Sequence, residues 1–554
     1  MNILKTLCCG WVIGACCADA RAAAPDVKSI FPLGGAIGTT FDVALTGNLP
    51  QPGTQVWADR LGLSFEVVEN GKSLKVSVAK DAAPGLHWLR FHNAEGASGL
   101  VPFVVGTLPE VTEVEPNNTL AKAQTIAASS VINGKLGESG DVDAFSMPLK
   151  AGQQLVAAID SNWRLASPVD IVVQVLGPDG FVFEQNDDDH GNDPFVAFTV
   201  PRDGNWTVRI FGFPTTPDSS FRFIGGANMA YRLTLTTGPF ANHAMPSVVP
   251  AEGGKVALSG WNLPTDMQPV SVGLHGVPWL GNEAIGNTVR VDSFKGVIAV
   301  EQAEQAAVLQ ELTPGSVICG VISKPREEDL FRFKGTKGQK LEFDVDSRSL
   351  GYPLDPAIRI YNAEKKVVVE SDDAPGKEAD PLLKFSVPAD GEYSIGIRDI
   401  FGQGSPRHAY RLACRVTTPS CNLSTKADAL VVEIDKPLEI PVTLTRTDGF
   451  AEEVSVSIEG LPKSVMAEPV VSAAKGETAA AVKLVLKNDG AEAWSGPVRI
   501  LGNHPKSEGQ PLIASFANAT YKTETRQIWL TVLKKPEPKP EAKPAEEKKP
   551  EEKK

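Results

Sequence analysis

Two stretches of this chain repeat each other without a gap, 186 positions apart. Glu115 is matched by Glu301, Gln124 by Gln310 and Val131 by Val317. The register runs on through Gly134 and Gly320, Asp143 and Asp329, Phe145 and Phe331, and Gly152 and Gly338. Later landmarks recur after small slips. Asp187-Asp188 answers to Asp372-Asp373, residues 201–206 to 388–393, and Tyr231-Arg232-Leu233 to Tyr410-Arg411-Leu412. Ordered matches at one period mark a duplicated structural unit. The chain is therefore a tandem of domains, and at about 100–200 residues per domain its 554 residues make three to five of them.

Each copy reads as strands. Residues 155–159 and 171–175 are short β-type runs, and Gly177-Pro178-Asp179-Gly180 is turn chemistry. Residues 206–210 alternate apolar and polar with period two, as do 393–397, the pattern of a half-buried strand. Gly (50) and Pro (42) are plentiful enough for many turns, and 42% hydrophobic residues suffice for ordinary cores. The expected fold class is all-β: a multidomain chain of β-sandwich or jelly-roll and immunoglobulin-like modules.

A second kind of module precedes each copy. The first contains Phe31-Pro32-Leu33-Gly34-Gly35 and then an alternating run ending Thr46-Gly47-Asn48-Leu49-Pro50. The second contains Pro250-Ala251-Glu252-Gly253-Gly254 and ends Ser259-Gly260-Trp261-Asn262-Leu263-Pro264. Proline, paired glycines and an alternating strand resemble the transcription-factor (TIG) class of immunoglobulin-like unit. A third kind of unit follows the second copy, with alternating runs at 438–444 and 454–458, a Gly460-Leu461-Pro462 turn and a closing run at 528–532. The expected organisation is a signal peptide (1–22), a TIG-like module (26–109), the first copy (110–238), a short TIG-like module (239–297), the second copy (298–417) and an immunoglobulin-like module (418–533). The last stretch, 534–554, consists almost entirely of Lys, Glu, Pro and Ala and cannot bury apolar surface, so it is expected to be a disordered tail.

The first residues read as an export signal. Lys5 supplies a positive charge, an apolar stretch runs over about 6–18, and Ala20-Arg21-Ala22 is a small-x-small cleavage pattern. Lipoprotein processing at Cys16, after Ile13-Gly14-Ala15, is the alternative. The apolar run is short of the ~20 residues that span a bilayer, so no transmembrane segment is expected in the mature chain. Periplasm, cell surface and extracellular space all remain open as destinations.

The formal net charge of −13 argues against nucleic acid as a partner, because phosphates demand a basic surface. Four of the seven cysteines lie in the leader. Cys319, Cys414 and Cys421 remain, an odd number that excludes a disulfide framework. Cys319 and Cys414 fall near the first and last strands of the second copy, where one bridge is conceivable, with Cys421 as competing partner or free thiol. Catalytic motifs are missing: no Gly-x-Ser-x-Gly elbow, no His-Glu-x-x-His helix, no Cys-x-x-Cys and no phosphate-cradling glycine loop. The acidic stretch 186–193 reads as a solvated turn, with cation binding as the other reading.

The sharpest motif opens the first copy. Glu113-Val114-Glu115-Pro116-Asn117-Asn118 is followed by Asp141-Val142-Asp143. Alternate residues of an extended segment face one way, so Glu113, Glu115 and Asn117 can converge, and Asp141 and Asp143 share a parity on a second segment. Hard oxygens in this number suit calcium; a turn with a solvated edge is the other reading. The Glu-x-Glu-Pro-Asn-Asn opening, the Gly-Asp-x-Asp-x-Phe strand and the closing Tyr-Arg-Leu resemble the bacterial pre-peptidase C-terminal domain, over 110–238 and, with departures, over 298–417. That resemblance implies a β-sandwich and implicates Glu113, Glu115, Asn117, Asn118, Asp141 and Asp143 in holding calcium. The second copy keeps Glu301 and Asp329. It carries Gln302, Ala303, Glu304 and Glu327 where the first has Pro116, Asn117, Asn118 and Asp141, so its calcium motif is degenerate. The function expected is that of an exported, non-catalytic, calcium-stabilised binding or scaffolding protein of a bacterial envelope. Its partner would be an envelope or extracellular protein or polysaccharide, including a peptidase it could serve as accessory; an enzyme with an unrecognised site is the last alternative.

Overall fold

The computed structural model describes residues 23–535 apart from 51–52, 69–70, 128, 217–221, 273–277, 280–283, 303–308, 378 and 508. The leader, with Lys5 and Cys16, lies outside the described residues, as do Ala303, Glu304 and the tail from 536 onward. Strands dominate among the described residues, and the one α-helix there, Asn162–Leu165, is a single turn. No helix among the described residues is long and apolar enough to cross a membrane.

The first copy is a sandwich of two five-stranded sheets. One sheet orders Glu110–Thr112, Ser130–Lys135, Ala230–Thr236, Gln154–Asp160 and Phe195–Thr199. The other orders Gln124–Thr125, Asp143–Leu149, Gly204–Pro214, Val169–Leu176 and Val182–Asn186. Alternation puts Ile132, Phe145, Leu155, Ile171, Val173, Val208 and Leu233 between the sheets, all buried. Each such side chain contributes about 1.5–3 kcal/mol on leaving water. Trp206, 1% exposed, closes one end of the core with its indole N–H donating to the Arg202 carbonyl at 3.2 Å. The second copy reproduces the order strand for strand. Val297–Val300, Ser316–Val321, Ala409–Val416, Lys340–Asp346 and Leu382–Ser386 face Gln310–Glu311, Glu328–Gly335, Gly391–Asp399, Pro356–Tyr361 and Val367–Ser371.

The flanking modules are two-sheet structures as well. Asp26–Phe31, Thr40–Asn48, Ser73–Val78 and Leu63–Val68 form one sheet before the first copy, opposite Gly34–Ala36, Val101–Gly106, Gly85–Asn93 and Gln55–Ala58. Between the copies a smaller unit has Gly254–Trp261 paired with Phe240–Met245 on one side and Val270–Val272 on the other, and Val248–Val249 paired with Asp292–Ser293. After the second copy, Leu438–Thr447 and Ala481–Asn488 anchor one sheet and Trp494–Asn503 and Ile528–Val532 the other.

All three described cysteines are free and buried. The strands carrying Cys319 and Cys414 do pair, but Ser316 lies opposite Cys414 and Cys319 opposite Arg411. That offset is odd, so the thiols point to opposite faces of the sheet. Cys414 packs inside the sandwich, whereas Cys319 packs outside it with Val248, Val317 and Ala413. The bridge held open above does not form.

The acidic stretch 186–193 is the expected solvated turn at Asp187, Asp188 and Gly191, but not at Asp189 and Asp193. Both carboxylate oxygens of Asp189 pair with the Arg407 guanidinium from the second copy, and Asp189 is 8% exposed. The guanidinium also stacks 4.2 Å from the Phe195 ring centroid. Asp193 is buried and accepts the backbone N–H groups of Ser161, Asn162 and Trp163. Asp380 serves Ser347, Arg348 and Ser349 in the same way in the second copy.

The first and last modules also meet. Arg90, 2% exposed, donates to Asp428 at 2.6 Å. Trp57 packs edge-on against Trp529 at 5.6 Å, and Trp88 against Tyr521 at 5.0 Å. The chain thus closes on itself around a central cleft.

Candidate metal centre

The site forms where the first copy's chain passes from one sheet to the other. Glu110–Thr112 runs parallel to Ser130–Lys135, and Gln124–Thr125 runs parallel to Asp143–Leu149 in the opposite sheet. The Glu113-to-Asn118 segment spans the gap. Asp141 and Asp143 stand at the start of the facing strand, and Tyr231 reaches in from the first sheet.

The backbone is fixed by the carboxylates themselves. Oε1 of Glu113 accepts the Lys135 N–H at 2.7 Å, and Oε2 of Glu115 accepts the Asn117 N–H at 2.9 Å. Asp141 accepts the Gly137 N–H at 2.6 Å and the Val142 N–H at 2.9 Å. The Asn118 amide donates to Oδ1 of Asp141 at 2.8 Å. The Tyr231 hydroxyl lies 2.6 Å from Oδ2 of Asp143 and 3.2 Å from Oε2 of Glu113. Gly134 is directly opposite Tyr231 in the ladder, and a Cβ there would lie 2.2 Å from the phenol ring and 2.6 Å from Glu113. Glycine is therefore required for the ring to lie over the strand.

One oxygen from each of Glu115, Asp141 and Asp143 falls within 4.8 Å of the others, a grouping that can hold a metal ion. Asn117 and Asp143 are fully buried. Both amide atoms of Asn117 and Oδ1 of Asp143 have no hydrogen-bond partner. Buried polar atoms without partners cost roughly 1–3 kcal/mol each, and the unpartnered Asp143 oxygen, grouped with the carboxylates of Glu115 and Asp141, calls for a counter-charge. Burial pushes Asp143 up to about 9, and the neighbouring charge of Glu113 adds to it. Glu113 rises to about 7, again chiefly through burial. A divalent cation would relieve both strains, and an all-oxygen set of carboxylates and an amide is the donor chemistry of calcium.

Of the six residues the sequence singled out, Glu115, Asp141 and Asp143 thus bring oxygens within 4.8 Å of one another, and Asn117 adds a buried, unpartnered amide to the same segment as Glu115. Glu113 and Asn118 brace them, Glu113 against Tyr231 and Lys135, and Asn118 against Asp141. Sequence reasoning missed Gly134 and Tyr231, although both recur in the second copy as Gly320 and Tyr410. There the frame persists: Tyr410 donates to Asp329 at 2.6 Å, and Glu301 accepts the Val321 N–H at 3.0 Å. Glu301 thus takes the place of Glu113, not of Glu115 as the gapless register has it, because the second copy is two residues shorter between this glutamate and Gln310. Glu327 instead accepts from Lys324 and Ser323 within its own turn. No second three-carboxylate group forms among the described residues.

Comparison with known proteins bears on the copies more than on the whole chain. A probable subtilase-type serine protease of Deinococcus radiodurans is 24% identical over 343 residues, covering 57% of this chain and 40% of that protein. The chain thus spans less than half the length of this relative. Among solved structures, the pre-peptidase C-terminal domain of a Bacillus anthracis collagenase aligns over its whole length with 22% of this chain, at 10% identity and a TM-score of 0.17. The insect immune protein hemolin aligns over its whole length with 92% of this chain, at 11% identity and a TM-score of 0.23. Residues 141–212 and 327–399 match the bacterial pre-peptidase C-terminal domain, and the chain carries two copies of it.

Proposed function

We propose that this chain is an exported, non-catalytic binding or scaffolding protein whose first pre-peptidase C-terminal domain is stabilised by calcium. The observation that carries the calcium is the pair of buried, unpartnered groups, Asn117 and Oδ1 of Asp143, beside Glu115 and Asp141. Calcium would supply the positive charge that these oxygens lack and tie the sheet-crossing segment to the facing strand. Export accords with the bacterial pre-peptidase domains and with the likeness to a subtilase-type protease. Non-catalysis is supported by how potential catalytic groups are used. Ser405 lies 2.8 Å from His408 Nδ1, but the two share one tight turn. The adjacent Asp399 accepts the backbone N–H groups of Asp355, Phe401 and Gln403 rather than orienting the imidazole. Burial also lowers the pKa of His243 to about 4.

Titration of the metal-free chain with calcium, followed by calorimetry, tests this reading. One site of roughly 0.1–1 mM affinity is expected, the range of extracellular modules. Absence of calcium heat, or turnover of peptide or ester substrates that tracks the protein through purification, overturns it. A second reading, accessory subunit of a secreted peptidase, is favoured by the protease relative. It predicts that adding the chain changes the rate or lifetime of a subtilase-type enzyme from the same cell.

A further inference from the structure

We propose that the cleft enclosed by the closed chain binds an acidic polysaccharide strand, aromatic rings stacking on its sugars and cationic side chains pairing with its carboxylates. This deepens the reading of the chain as a binding protein and rests on it.

The cleft is about 1460 Å³ and is lined by segments from all five modules. Small-molecule pockets run to about 300–1,000 Å³, so this space suits a segment of a polymer. Trp57, Trp88, Trp163 and Tyr521 line it, and each is half-buried. Flat rings with a polar rim suit pyranose units, whose C–H faces are apolar and whose edges are hydroxylated.

The charge of the lining runs against that of the chain. Arg90 and Lys377 are already paired, with Asp428 and with Asp344 and Asp346. The other lining cations are Arg60, Arg164, Arg290, Lys522 and Arg526, against the lining carboxylates Asp59, Asp292 and Glu524 and Asp160 beside Arg164. In a chain of net charge −13, a cleft with a cationic excess is where a polyanion is drawn in, since clefts focus the local field. The existing pairings are loose: Arg60 is 3.8 Å from Asp59, and Arg164 is 3.4 Å from Asp160. Arg290 is closer to Asp292, at 2.6 Å, but 79% exposed. Long or solvent-exposed pairs of this kind are worth about 0–1 kcal/mol, so a ligand carboxylate competes for the guanidinium forks. Lys522 sits 5.4 Å over the Trp163 ring, which puts a cation and a stacking platform side by side.

An acidic peptide fits less well. Peptides added as strands need a run of free main-chain groups. The isolated hairpin at the cleft, Phe516–Asn518 with Thr523–Thr525, has only three residues per strand.

The test is titration of the intact mature chain with polygalacturonate in calcium-free buffer, since uronates bind calcium themselves. Dextran and poly-glutamate serve as neutral and peptidic comparisons. Polygalacturonate is expected to bind, more weakly as salt rises, with dextran silent and poly-glutamate at least tenfold weaker. The double variant Lys522→Glu/Arg526→Glu alters exposed side chains and should weaken binding at least tenfold with an unchanged melting temperature. Trp163→Phe, which keeps a ring, should retain more binding than Trp163→Ala. No binding by the unmodified chain, or equal binding by the double variant, overturns the proposal. Poly-glutamate binding as tightly as polygalacturonate replaces it with an acidic-peptide site. Calcium uptake measured on the same preparation reports on the metal centre separately, so failure at the cleft with calcium uptake intact rejects the cleft alone.

Discussion

The Tyr231 hydroxyl donates to Oδ2 of Asp143 at 2.6 Å, while Oδ1 of the same carboxylate stays buried without a partner. The phenol fixes the carboxylate's orientation yet supplies no charge to balance it. Tyr410 holds Asp329 by the same bond at the same distance. The duplicated domains therefore share one frame, a tyrosine from one sheet holding an aspartate on the other, and differ in what surrounds it. The first copy adds Asn117, Glu115 and Asp141. In the second, Glu301 and Glu327 crowd Asp329 with negative charge. On the function proposed above, the first frame takes a cation and the second a proton.

Calcium at a few millimolar should stabilise the first copy by about 1–2 kcal/mol, given a dissociation constant of about 0.1–1 mM. Asp143→Asn leaves Tyr231 an acceptor but removes one charge and one ligand oxygen. Its calcium affinity should fall at least about tenfold, the effect of roughly 1.4 kcal/mol. Titration calorimetry on the intact chain reads this directly; an unchanged affinity would take Asp143 out of the site.

The second copy should show a pH dependence of the opposite sense to ordinary acid denaturation. Burial, reinforced by Glu301 and Glu327, pushes Asp329 up to about 8 from 3.8, although the Tyr410 bond opposes the rise. The folded domain then holds a proton that the unfolded chain releases near pH 4. Its contribution to stability is complete below that pH, declines as pH rises, and is lost above about 8. Asp329→Asn retains the acceptor for Tyr410 and removes the titration. Urea midpoints of the transition that includes this domain, measured at pH 5.5 and 8.5, should differ by less in the variant than in the parent, the remaining difference coming from Asp143, Glu113 and Asp193 of the first copy. A variant with the parental slope would show that another group carries the proton.

Much of this site was legible because ligand spacing is local. The period of two places Asp141 with Asp143, and Glu115 joins them; it does not place Glu115 with Asn117, since the first is exposed and the second fully buried. Gly134 and Tyr231 stood among the repeated letters, but a glycine and a phenol offer no carboxylate. Their role emerges only when the ladder sets them opposite each other across the sequence. Asp189 and Asp193 were opaque for a different reason. In a run of acidic residues nothing local distinguishes a carboxylate facing water from one whose partners, Arg407 or the Ser161 amide, arrive from distant segments. Pairing of the Cys319 and Cys414 strands was foreseeable from the repeat. The thiols' opposite faces follow from register, which the letters alone do not set.

The thiols should be silent in the folded protein. Cys319, Cys414 and Cys421 are all buried, and burial pushes Cys414 up to about 12 and raises the other two. The thiolate is the reactive species, and the fold suppresses both its formation and its access. A chromogenic thiol reagent should find none of these three in the native mature chain and all of them in denaturant. Peptide mapping without reductant should recover no Cys319–Cys414 cross-link; finding one would mean the register at that strand pair is wrong.

The two copies should unfold as one unit because of Arg407. Its guanidinium pairs with both oxygens of Asp189, stacks 4.2 Å from the Phe195 centroid and 5.7 Å from that of Trp261, and donates to Asn242 at 3.2 Å. Burial alone would raise the Asp189 carboxyl, but His190 and Arg407 outweigh it and hold the group well below the usual carboxylate range. The side chains are 18% and 8% exposed, so salt screens the pair poorly. Removing one partner of a buried pair typically costs about 3–5 kcal/mol, and the residual solvent access at Arg407 places this case near the lower end. In Asp189→Asn the guanidinium keeps its ring contacts but loses its counter-charge, so the copies should lose coupling while each sandwich core stays intact. Calorimetry should then resolve two transitions where the parent shows a shared one. Arg407→Lys keeps the charge and gives up the bidentate, stacked geometry, and it should fall between the two. Unfolding that stays joint in Asp189→Asn would locate the coupling elsewhere, in the Arg411 to Asp292 contact between the second copy and the module before it.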